Sequence, residues 1–474
     1  MKIEKFHGLL LALIIVTYLA LGTLYALYTP KWQVPDEPAH YNYVKYLAET
    51  GTFPVLQMGD YPHDYLEELK SKKFPDDMPI DPIRYESHQP PLYYLLTAAI
   101  YKATIFLPFD QQFLTLRLVS VAIGGTLLYI TYGIAQEVFP ADPLLPLATA
   151  AFVATVPMHV AMTAAINNDA LAELMLSAVL LLLLKLLRSD FTPRQYAGLG
   201  LLIGLGLITK TTTYISIPLA ILALVVHQVW LPPTDREPRG GGRPSTSALA
   251  RRLLLVFGLA LAIALPWFMR NSLTYGGWDI LGLERHSAVV IGQPRTLELF
   301  PNYWEAARAF FPILFRSFWA QFGWMGVLVD SRLYLVLQLI CAFVAAGIII
   351  FLVKALSGRQ PLTPYQRWGL ALLALSFLFT FSTTLWYSLE LFQAQGRYLF
   401  PSIVSIALFF VVGLQEMLKI PGAVLRRIGN PPDWINLSLL EARRCQEVGL
   451  LLFFSGMVAL DLISLFKFIV PYLS

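Results

Sequence analysis

Two acidic residues, Asp36 and Glu37, directly follow the first long apolar run of the chain, in the stretch VPDEPAHYNYVKYLAETG. Asp36 is a suitable N-cap for a helix that Pro38 would begin and Gly51 would end. A carboxylate at a helix N-terminus is also kept ionised by the helix dipole, which suits a general base. Asp36 and Glu37 are therefore candidate catalytic acids, and a capping role for Asp36 is the alternative.

A second acidic site lies in the stretch AAINNDALAEL, where Asn168 and Asp169 interrupt an apolar region. An ionisable side chain at such a position is costly and indicates function. The alternative is a tight turn in which Asp169 caps the following helix. Because the topology derived below places Asp36 and Asp169 on the same side of the membrane, we predict that Asp169 is catalytic and that Asn168 binds the substrate.

Histidine and amide side chains accompany the first acids. His40 belongs to the opening stretch, and His88 with Gln89 stands before the Pro-Pro pair of RYESHQPPLYY, which favours an extended turn before a new helix. These three side chains are predicted to contact the substrate. His40, His63 and His88 could alternatively hold a metal, but their spacing matches no zinc pattern, so neither a metal nor a cofactor is predicted.

Three cations lie at predicted span ends on the same side of the membrane. They are Lys210 in GLGLITKTTTY, Arg270 in PWFMRNSLTYGG and Arg397 in LFQAQGRYLFP. Such residues beside a cavity suit a phosphate-bearing ligand, Arg through its planar fork and Lys as a point charge. Each could instead be a snorkelling residue, although polar neighbours such as Tyr398 weaken this alternative for Arg397. We predict that the substrate is bound by these three cations and by Tyr398.

The composition indicates which class of protein positions these side chains. The 474-residue chain is 56% hydrophobic and 14% charged, with a mean hydropathy of +0.59, whereas average globular proteins carry roughly 25% charge. Apolar stretches of membrane-spanning length recur, and backbone exposed to lipid must pair within its own segment. We therefore predict an all-α polytopic membrane protein. The net charge of +4 is explained by topology signals, and no nucleic-acid partner is expected.

Eleven membrane-spanning helices are predicted. Lys2 and Lys5 place the N-terminus in the cytoplasm, and the basic residues of the later short loops fall on the same side. The segment from Pro90 is apolar enough to span, but counting it would place those loops outside, so it is predicted to be a re-entrant or interfacial helix. The predicted spans are 8–28, 115–137, 145–166, 170–187, 196–209, 213–231, 252–269, 332–354, 368–388, 399–418 and 449–470.

The whole chain, 1–474, is predicted to form one integral membrane domain of the plasma membrane, with its active site on the extracytoplasmic side. Two large extracytoplasmic loops are expected, 29–114 with helices along the membrane surface and 271–331. The Pro/Gly/Ser-rich stretch 232–251 is predicted to be a flexible cytoplasmic loop.

The motifs PDEPAH, HQPPLYY, NNDA, GLGLITK, PWFMRN and QGRYLFP follow one another over roughly residues 8–402. This ordered set resembles the GT-C membrane glycosyltransferases, in the branch of the protein O-mannosyltransferases and lipid A aminoarabinose transferases. The resemblance implies a GT-C-like bundle that transfers a sugar, with inversion, from a polyprenyl-phosphate donor to a lipid, glycan or protein acceptor on the outer face of the membrane.

The same resemblance implies roles for individual residues. Asp36 would act as a base on the acceptor or orient it, Asp169 would assist, and Lys210 and Arg397 would hold the leaving lipid phosphate, which requires preorganised cations. Two departures stand out: Asp36 and an adjacent glutamate replace an acid-x-acid metal motif, and Gln89 stands where aminoarabinose transferases carry lysine.

Two other functions are open at this point. The chain could be a transporter or flippase of lipid-linked precursors, although transporters often show inverted repeats and the sequence has no visible internal symmetry. It could also be a non-catalytic subunit of a membrane complex, in which case the acids and cations would serve only as caps and span anchors.

Overall fold

The computed structural model describes residues 2–189, 191–229, 246–420 and 442–474. The described residues form a helical bundle with one short antiparallel hairpin, in which Gln321–Phe322 pairs with Val327–Leu328. An all-α membrane architecture, as predicted from the composition, is confirmed. Of the predicted cytoplasmic loop, residues 232–245 lie outside the described ranges, and a helix begins at Thr246.

Within those ranges, nine helices are long and apolar enough to cross a membrane. They are Phe6–Tyr28, Phe109–Val138, Asp169–Arg188, Thr211–Val229, Thr246–Tyr275, Ser331–Leu356, Pro364–Glu390, Gly396–Leu418 and Arg443–Leu473. The helices Leu145–Ala154 and Pro157–Thr163 pass the same test as a pair bent by 65°. The bend falls at Val156, whose position before a proline disfavours the helical conformation.

Each of the eleven predicted spans has a helical counterpart, but the count of eleven is not confirmed. The helix Pro193–Leu207 has only 15 residues, about 22 Å at 1.5 Å per residue, against a hydrocarbon core of about 30 Å. It returns the chain from the far end of Asp169–Arg188 to Lys210, which contacts Asp169 at the near end. The apolar segment after Pro90 forms the 12-residue helix Leu92–Ala103, which is shorter still.

Shorter helices occupy the two long connections on the side of the predicted site. The connection after the first span carries Glu37–Thr50, His63–Ser71, the 3₁₀ turn Tyr85–His88 and Leu92–Ala103. The connection before Ser331 carries Leu283–Val289, Thr296–Leu299 and Tyr303–Trp319. Irregular helical turns occur within three spans, at Thr211–Ile215, Gly396–Ser402 and Ser464–Ile469.

Small residues allow the span that follows Arg397 to pack closely in the bundle. A Cβ on Gly347 would overlap the carbonyl of Gly413, and a Cβ on Gly396 would overlap the backbone of Phe318. Membrane helices associate mainly through such close contacts, because lipid provides no hydrophobic drive between them. The packing at Gly396 therefore fixes the position of the turn that carries Arg397.

Candidate active site

Asp36 forms the centre of the site through two side-chain contacts. Its Oδ1 accepts a hydrogen bond from the Tyr85 hydroxyl at 2.7 Å, and its Oδ2 accepts one from Arg397 Nη2 at 2.6 Å. The Arg397 side chain is 6% exposed and that of Asp36 is 23% exposed. Burial pushes the pKa of the Asp36 carboxyl upward, but the charge of Arg397 outweighs this and holds the pKa below its usual range.

The Asp36 side chain does not cap the following helix, although that helix begins and ends where the sequence predicts. The helix runs from Glu37 to Thr50, with Pro38 in its first turn and Gly51 in the left-handed conformation at its end. Asp36 precedes it with φ 69°, and its side chain makes no cap hydrogen bond. Aspartate tolerates this left-handed conformation better than most residues. The carboxylate contacts Tyr85 and Arg397 and is kept ionised by the arginine.

Asp169 and Lys210 form a second acid–cation pair. Lys210 Nζ lies 2.5 Å from Asp169 Oδ1, and the two side chains are 18% and 24% exposed. Asp169 is the first residue of its helix, and its backbone N–H donates to Asn167 Oδ1 at 3.0 Å. The capping alternative for Asp169 is therefore wrong, because its carboxylate binds a lysine that arrives from another span.

His40 is buried near both pairs. It is 3% exposed, and its Nδ1 is 2.7 Å from the Tyr94 hydroxyl. Burial lowers its pKa below the ordinary value, so the ring is neutral at neutral pH. The charges that also act on this pKa are, in order of effect, those of Glu86, Lys210, Asp36 and Asp169. The two acid–cation pairs therefore converge on one site around His40.

Gln89 and Asn168, both predicted to bind the substrate, contact each other at the edge of this site. Asn168 Nδ2 donates to Gln89 Oε1 and to the Thr209 carbonyl, at 3.2 Å each. The Asn168 Oδ1 atom is buried and has no hydrogen-bond partner in the described part of the chain. Asn168, next to Asp169, is thus bonded to Thr209, next to Lys210. The Asn168 Oδ1 atom remains as an acceptor for a hydrogen bond from a ligand.

His88 is buried against a histidine of the other long connection. Its Nδ1 donates to the Tyr85 carbonyl at 3.1 Å, and its ring centroid is 4.4 Å from that of His286. Burial, and next the neighbouring His286, lower the pKa of His88 well below its ordinary value. His63 lies instead beside Asp64, and the described residues contain no group of three or more His, Cys, Asp or Glu arranged for a metal ion.

Glu37 faces away from these groups. Its carboxylate is fully buried and accepts hydrogen bonds from Arg117 Nε at 2.8 Å and Arg117 Nη2 at 2.7 Å. The backbone N–H groups of Trp32 and Ile166 donate to the same carboxylate at 3.2 Å each. With both oxygens used in this way, Glu37 anchors the start of the first long connection to two spans, and its geometry does not fit the catalytic role predicted from its position beside Asp36.

Arg270 is also held outside the cluster around His40. It donates to the Pro54 carbonyl at 2.5 Å and to Asn271 Oδ1 at 2.9 Å, and its guanidinium lies over the Trp267 ring. No hydrogen bond within the described ranges joins it to Asp36 or to Asp169. These contacts tie a span end to the first long connection, and they do not bring Arg270 to the predicted phosphate site.

The residues around Arg397 orient its guanidinium. Arg397 Nε donates to Gln395 Oε1 at 2.7 Å, and Gln395 in turn donates to Gln393 at 2.7 Å. The Arg397 guanidinium lies 5.2 Å from the ring centroid of Tyr398. The sequence pattern LFQAQGRYLFP thus supplies the arginine, its orienting amides and the aromatic surface on which it lies.

Glu86 and Tyr85 are site residues that sequence reasoning missed. Tyr85 donates to Asp36, and Glu86 is 8% exposed, with its Oε2 buried and without a hydrogen-bond partner among the described residues. Both stand in RYESHQPPLYY, the stretch that had been singled out for His88 and Gln89. An acid two residues before His88, which was predicted to bind the substrate, was the available signal.

An apolar groove lies along the span Gly396–Leu418. It has a volume of about 570 Å³, and Leu399, two residues after Arg397, is part of its wall. From Leu399 to Phe410 it extends about 16 Å along the span, at 1.5 Å per residue. Aromatic side chains dominate the rest of its wall, including Phe311, Phe315, Phe318, Trp319 and Phe377.

Comparisons with known proteins agree with this architecture. The sequence model of the family described as dolichyl-phosphate-mannose-protein mannosyltransferase matches residues 88–234. No curated protein matches the chain by sequence. An oligosaccharyltransferase from Archaeoglobus fulgidus, solved tethered with an acceptor peptide, matches with a TM-score of 0.55 and 14% identity. That match covers 97% of this chain and 55% of the oligosaccharyltransferase, so the chain spans about half of its length.

Two further structures are similar. The archaeal oligosaccharyltransferase AglB from Archaeoglobus fulgidus, in complex with an inhibitory peptide and a dolichol-phosphate, matches with a TM-score of 0.54 and 14% identity, over 97% of this chain and 56% of that one. ArnT from Cupriavidus metallidurans bound to undecaprenyl phosphate matches with 16% identity over 99% and 74% of the two chains, at a TM-score of 0.48. The chain is therefore a multi-pass membrane protein with the GT-C fold of membrane glycosyltransferases, as its motifs predicted.

Proposed function

We propose that the chain is an inverting glycosyltransferase that moves a sugar from a polyprenyl-phosphate donor to an acceptor. The observation that carries this proposal is the presence of two buried or partly buried acid–cation pairs, Asp36–Arg397 and Asp169–Lys210, together with an apolar groove whose wall includes Leu399, two residues after Arg397. A lipid-linked sugar phosphate needs both features, cations for the phosphate and an apolar path for the chain.

The phosphate would bind Lys210 and Arg397. Both side chains are fixed in position by carboxylates that are partly exposed, so an incoming phosphate can share or replace these partners. Arg397 offers a planar fork and Lys210 a compact charge. As the bond to the sugar breaks, charge grows on the phosphate oxygen, and cations that are already in place stabilise it without reorganisation.

The acids act on the sugar and the acceptor. Asp36 is oriented by Tyr85 and Arg397, and Asp169 is directed by Lys210 toward the same site. When the phosphate takes Arg397, the force that lowers the pKa of Asp36 weakens, and its carboxylate is free to orient an acceptor hydroxyl. Asn168 Oδ1, which has no hydrogen-bond partner among the described residues, and Gln89, which is bonded to Asn168, would accept hydrogen bonds from sugar hydroxyls.

The apolar groove would hold the start of the polyprenyl chain. Its wall includes Leu399, so a chain lying in it would leave its phosphate close to Arg397. The dolichol-phosphate complex of AglB, which has the same fold, supports a lipid phosphate as the ligand class. Because lipid surrounds this part of the bundle, the donor can enter sideways from the membrane.

The site is proposed to face the extracytoplasmic side of the plasma membrane. Lys185, Arg188, Lys354 and Lys419 lie at the span ends opposite to the site, and basic residues concentrate on the cytoplasmic side. The acceptor is then a lipid, glycan or protein of the cell envelope.

The test is made with the full chain in liposomes that contain undecaprenyl phosphate carrying a radiolabelled sugar. The proposal expects release of the sugar, with formation of undecaprenyl phosphate, by the natural protein and loss of this release in Asp36→Asn. If the label instead moves intact across the bilayer, the chain is a transporter. If a panel of glucose, mannose, N-acetylglucosamine and aminoarabinose donors gives neither result, the chain is a non-catalytic subunit.

A further inference from the structure

Glu86 is an acid of the site with one buried side-chain oxygen, Oε2, that has no hydrogen-bond partner among the described residues. It lies in the 3₁₀ turn Tyr85–His88. In this turn Tyr85 donates a hydrogen bond to Asp36, and the His88 ring packs against that of His286. Its side chain is 8% exposed, and its Oε2 atom is buried without a hydrogen-bond partner among the described residues. An unpaired carboxylate in such a position is costly and needs an explanation.

The other acids of the region differ from Glu86 in this respect. Asp36 accepts hydrogen bonds on both oxygens, from Tyr85 and Arg397. Asp169 is paired with Lys210, and Glu37 is enclosed by Arg117 and two backbone N–H groups. A carboxylate that is already satisfied by a cation is a weak base, because accepting a proton would break that interaction. Among the described residues, no cation is hydrogen-bonded to the Oε2 atom of Glu86.

Glu86 also lies within the converged site. Burial lowers the pKa of Lys210, but Asp169 and next Glu86 outweigh this and raise it. Burial likewise lowers the pKa of His286, and Glu86 is the first charge that opposes it. Glu86 is therefore close to the proposed phosphate cation Lys210 and, through the contact of His88 in the same turn with His286, to the second long connection.

We propose that Glu86 is the general base of the transfer reaction, a role that rests on the proposed function and assigns Asp36 to orientation. Glu86 takes the proton as the acceptor O–H bond breaks, and the freed electron pair of that oxygen forms the bond to the anomeric carbon. The bond between this carbon and the phosphate oxygen breaks, and its electron pair leaves with the lipid phosphate. The proton on Glu86 then passes to water.

The experiment compares the natural protein with Glu86→Gln, Glu86→Asp and the control Glu67→Gln. Glu67 is a half-exposed glutamate of the same connection that pairs with Lys70. The substrate is undecaprenyl phosphate carrying a radiolabelled sugar, and its hydrolysis by water is followed, since water needs the same base and no acceptor has to be identified. Binding of undecaprenyl phosphate itself is measured in parallel.

The expected result is a loss of hydrolysis of about 100-fold or more in Glu86→Gln, the effect of removing a positioned base, with undecaprenyl-phosphate binding within about twofold of the natural protein. The acidic limb of the pH–rate profile disappears in Glu86→Gln and persists in Glu86→Asp, and Glu67→Gln is unchanged. Hydrolysis retained in Glu86→Gln, an unchanged acidic limb, or an equal loss of lipid binding would overturn the inference. Absence of hydrolysis in the natural protein would instead contradict the proposed function.

Discussion

Asp36 and Arg397 are 361 positions apart in the chain, yet their side chains form an ion pair of 2.6 Å. Asp36 follows the first span, and Arg397 begins the span Gly396–Leu418. The pair therefore joins two parts of the bundle that are separated by about three quarters of the 474-residue chain. It also holds a guanidinium, oriented by Gln395, where a phosphate would need it.

Removing the acid that competes for Lys210 is expected to strengthen lipid-phosphate binding. Asp169→Asn leaves the lysine without its 2.5 Å partner, so the affinity for undecaprenyl phosphate should rise about two- to fivefold, the equivalent of the roughly 0.5–1 kcal/mol of a partly exposed ion pair. Native mass spectrometry with graded undecaprenyl phosphate measures this, and the exposed Asp64→Asn is the control. Weaker binding in Asp169→Asn would mean that Asp169 supports the phosphate site.

Glu37→Gln is expected to act on stability. It leaves Arg117 buried with a neutral partner in place of its ion pair, and breaking a buried pair costs about 3–5 kcal/mol. The free energy of unfolding in detergent should fall accordingly, whereas Glu67→Gln should leave it unchanged. A stable Glu37→Gln that has lost sugar release would restore Glu37 as a catalytic residue.

The contact between His88 and His286 predicts a loss of stability in acid. Burial lowers the pKa of both rings in the folded protein, so the unfolded chain binds more protons below its own histidine pKa of about 6.5. The contribution of these two neutral rings to the free energy of unfolding should therefore be fully present above that pH and should decrease as the pH is lowered through it. The thermal midpoint of the purified protein at pH 7.5 and 5.5 measures this. In His286→Gln the difference should shrink, and an equal difference would contradict the role of this pair.

Filling the groove should shorten the preferred lipid. Ile406 is part of the groove wall, several residues from Arg397, so Ile406→Trp should weaken binding of undecaprenyl phosphate and spare a short phosphate such as geranyl phosphate. Leu451→Trp, at a position that is 68% exposed on the last span, is the control. Equal loss for both chain lengths would place the polyprenyl chain elsewhere.

Local features of the fold could be predicted from the sequence. The start and end of the helix Glu37–Thr50 follow from Pro38 and Gly51, and the span positions follow from apolar length. The cap at Asp36 was predicted wrongly because the backbone turns left-handed there and directs the carboxylate to Tyr85. Only tertiary contacts impose that conformation.

The pairing of the site residues could not be predicted in the same way. The motifs identified two acids and two cations, Asp36, Asp169, Lys210 and Arg397. Which acid pairs with which cation depends on how the spans pack, and the motifs do not show this. Glu37 and Arg270 have the right residue types, yet Arg117 and Pro54 hold them elsewhere. Glu86 was not predicted as a site residue. The feature that distinguishes it, a buried Oε2 atom with no hydrogen-bond partner among the described residues, is visible only in the folded structure.

The central claim is that Lys210 and Arg397 hold the phosphate of a lipid donor. The most direct test measures the affinity of undecaprenyl phosphate for the natural protein and for the variants Lys210→Met and Arg397→Gln. Circular dichroism confirms that each variant is folded, and Arg308→Gln, at an exposed arginine, is the control. The account predicts that each site variant loses about tenfold or more in affinity, in line with a charge-assisted hydrogen bond of roughly 1.5–3 kcal/mol, and that Arg308→Gln loses none. Undiminished binding by folded Lys210→Met and Arg397→Gln would contradict it.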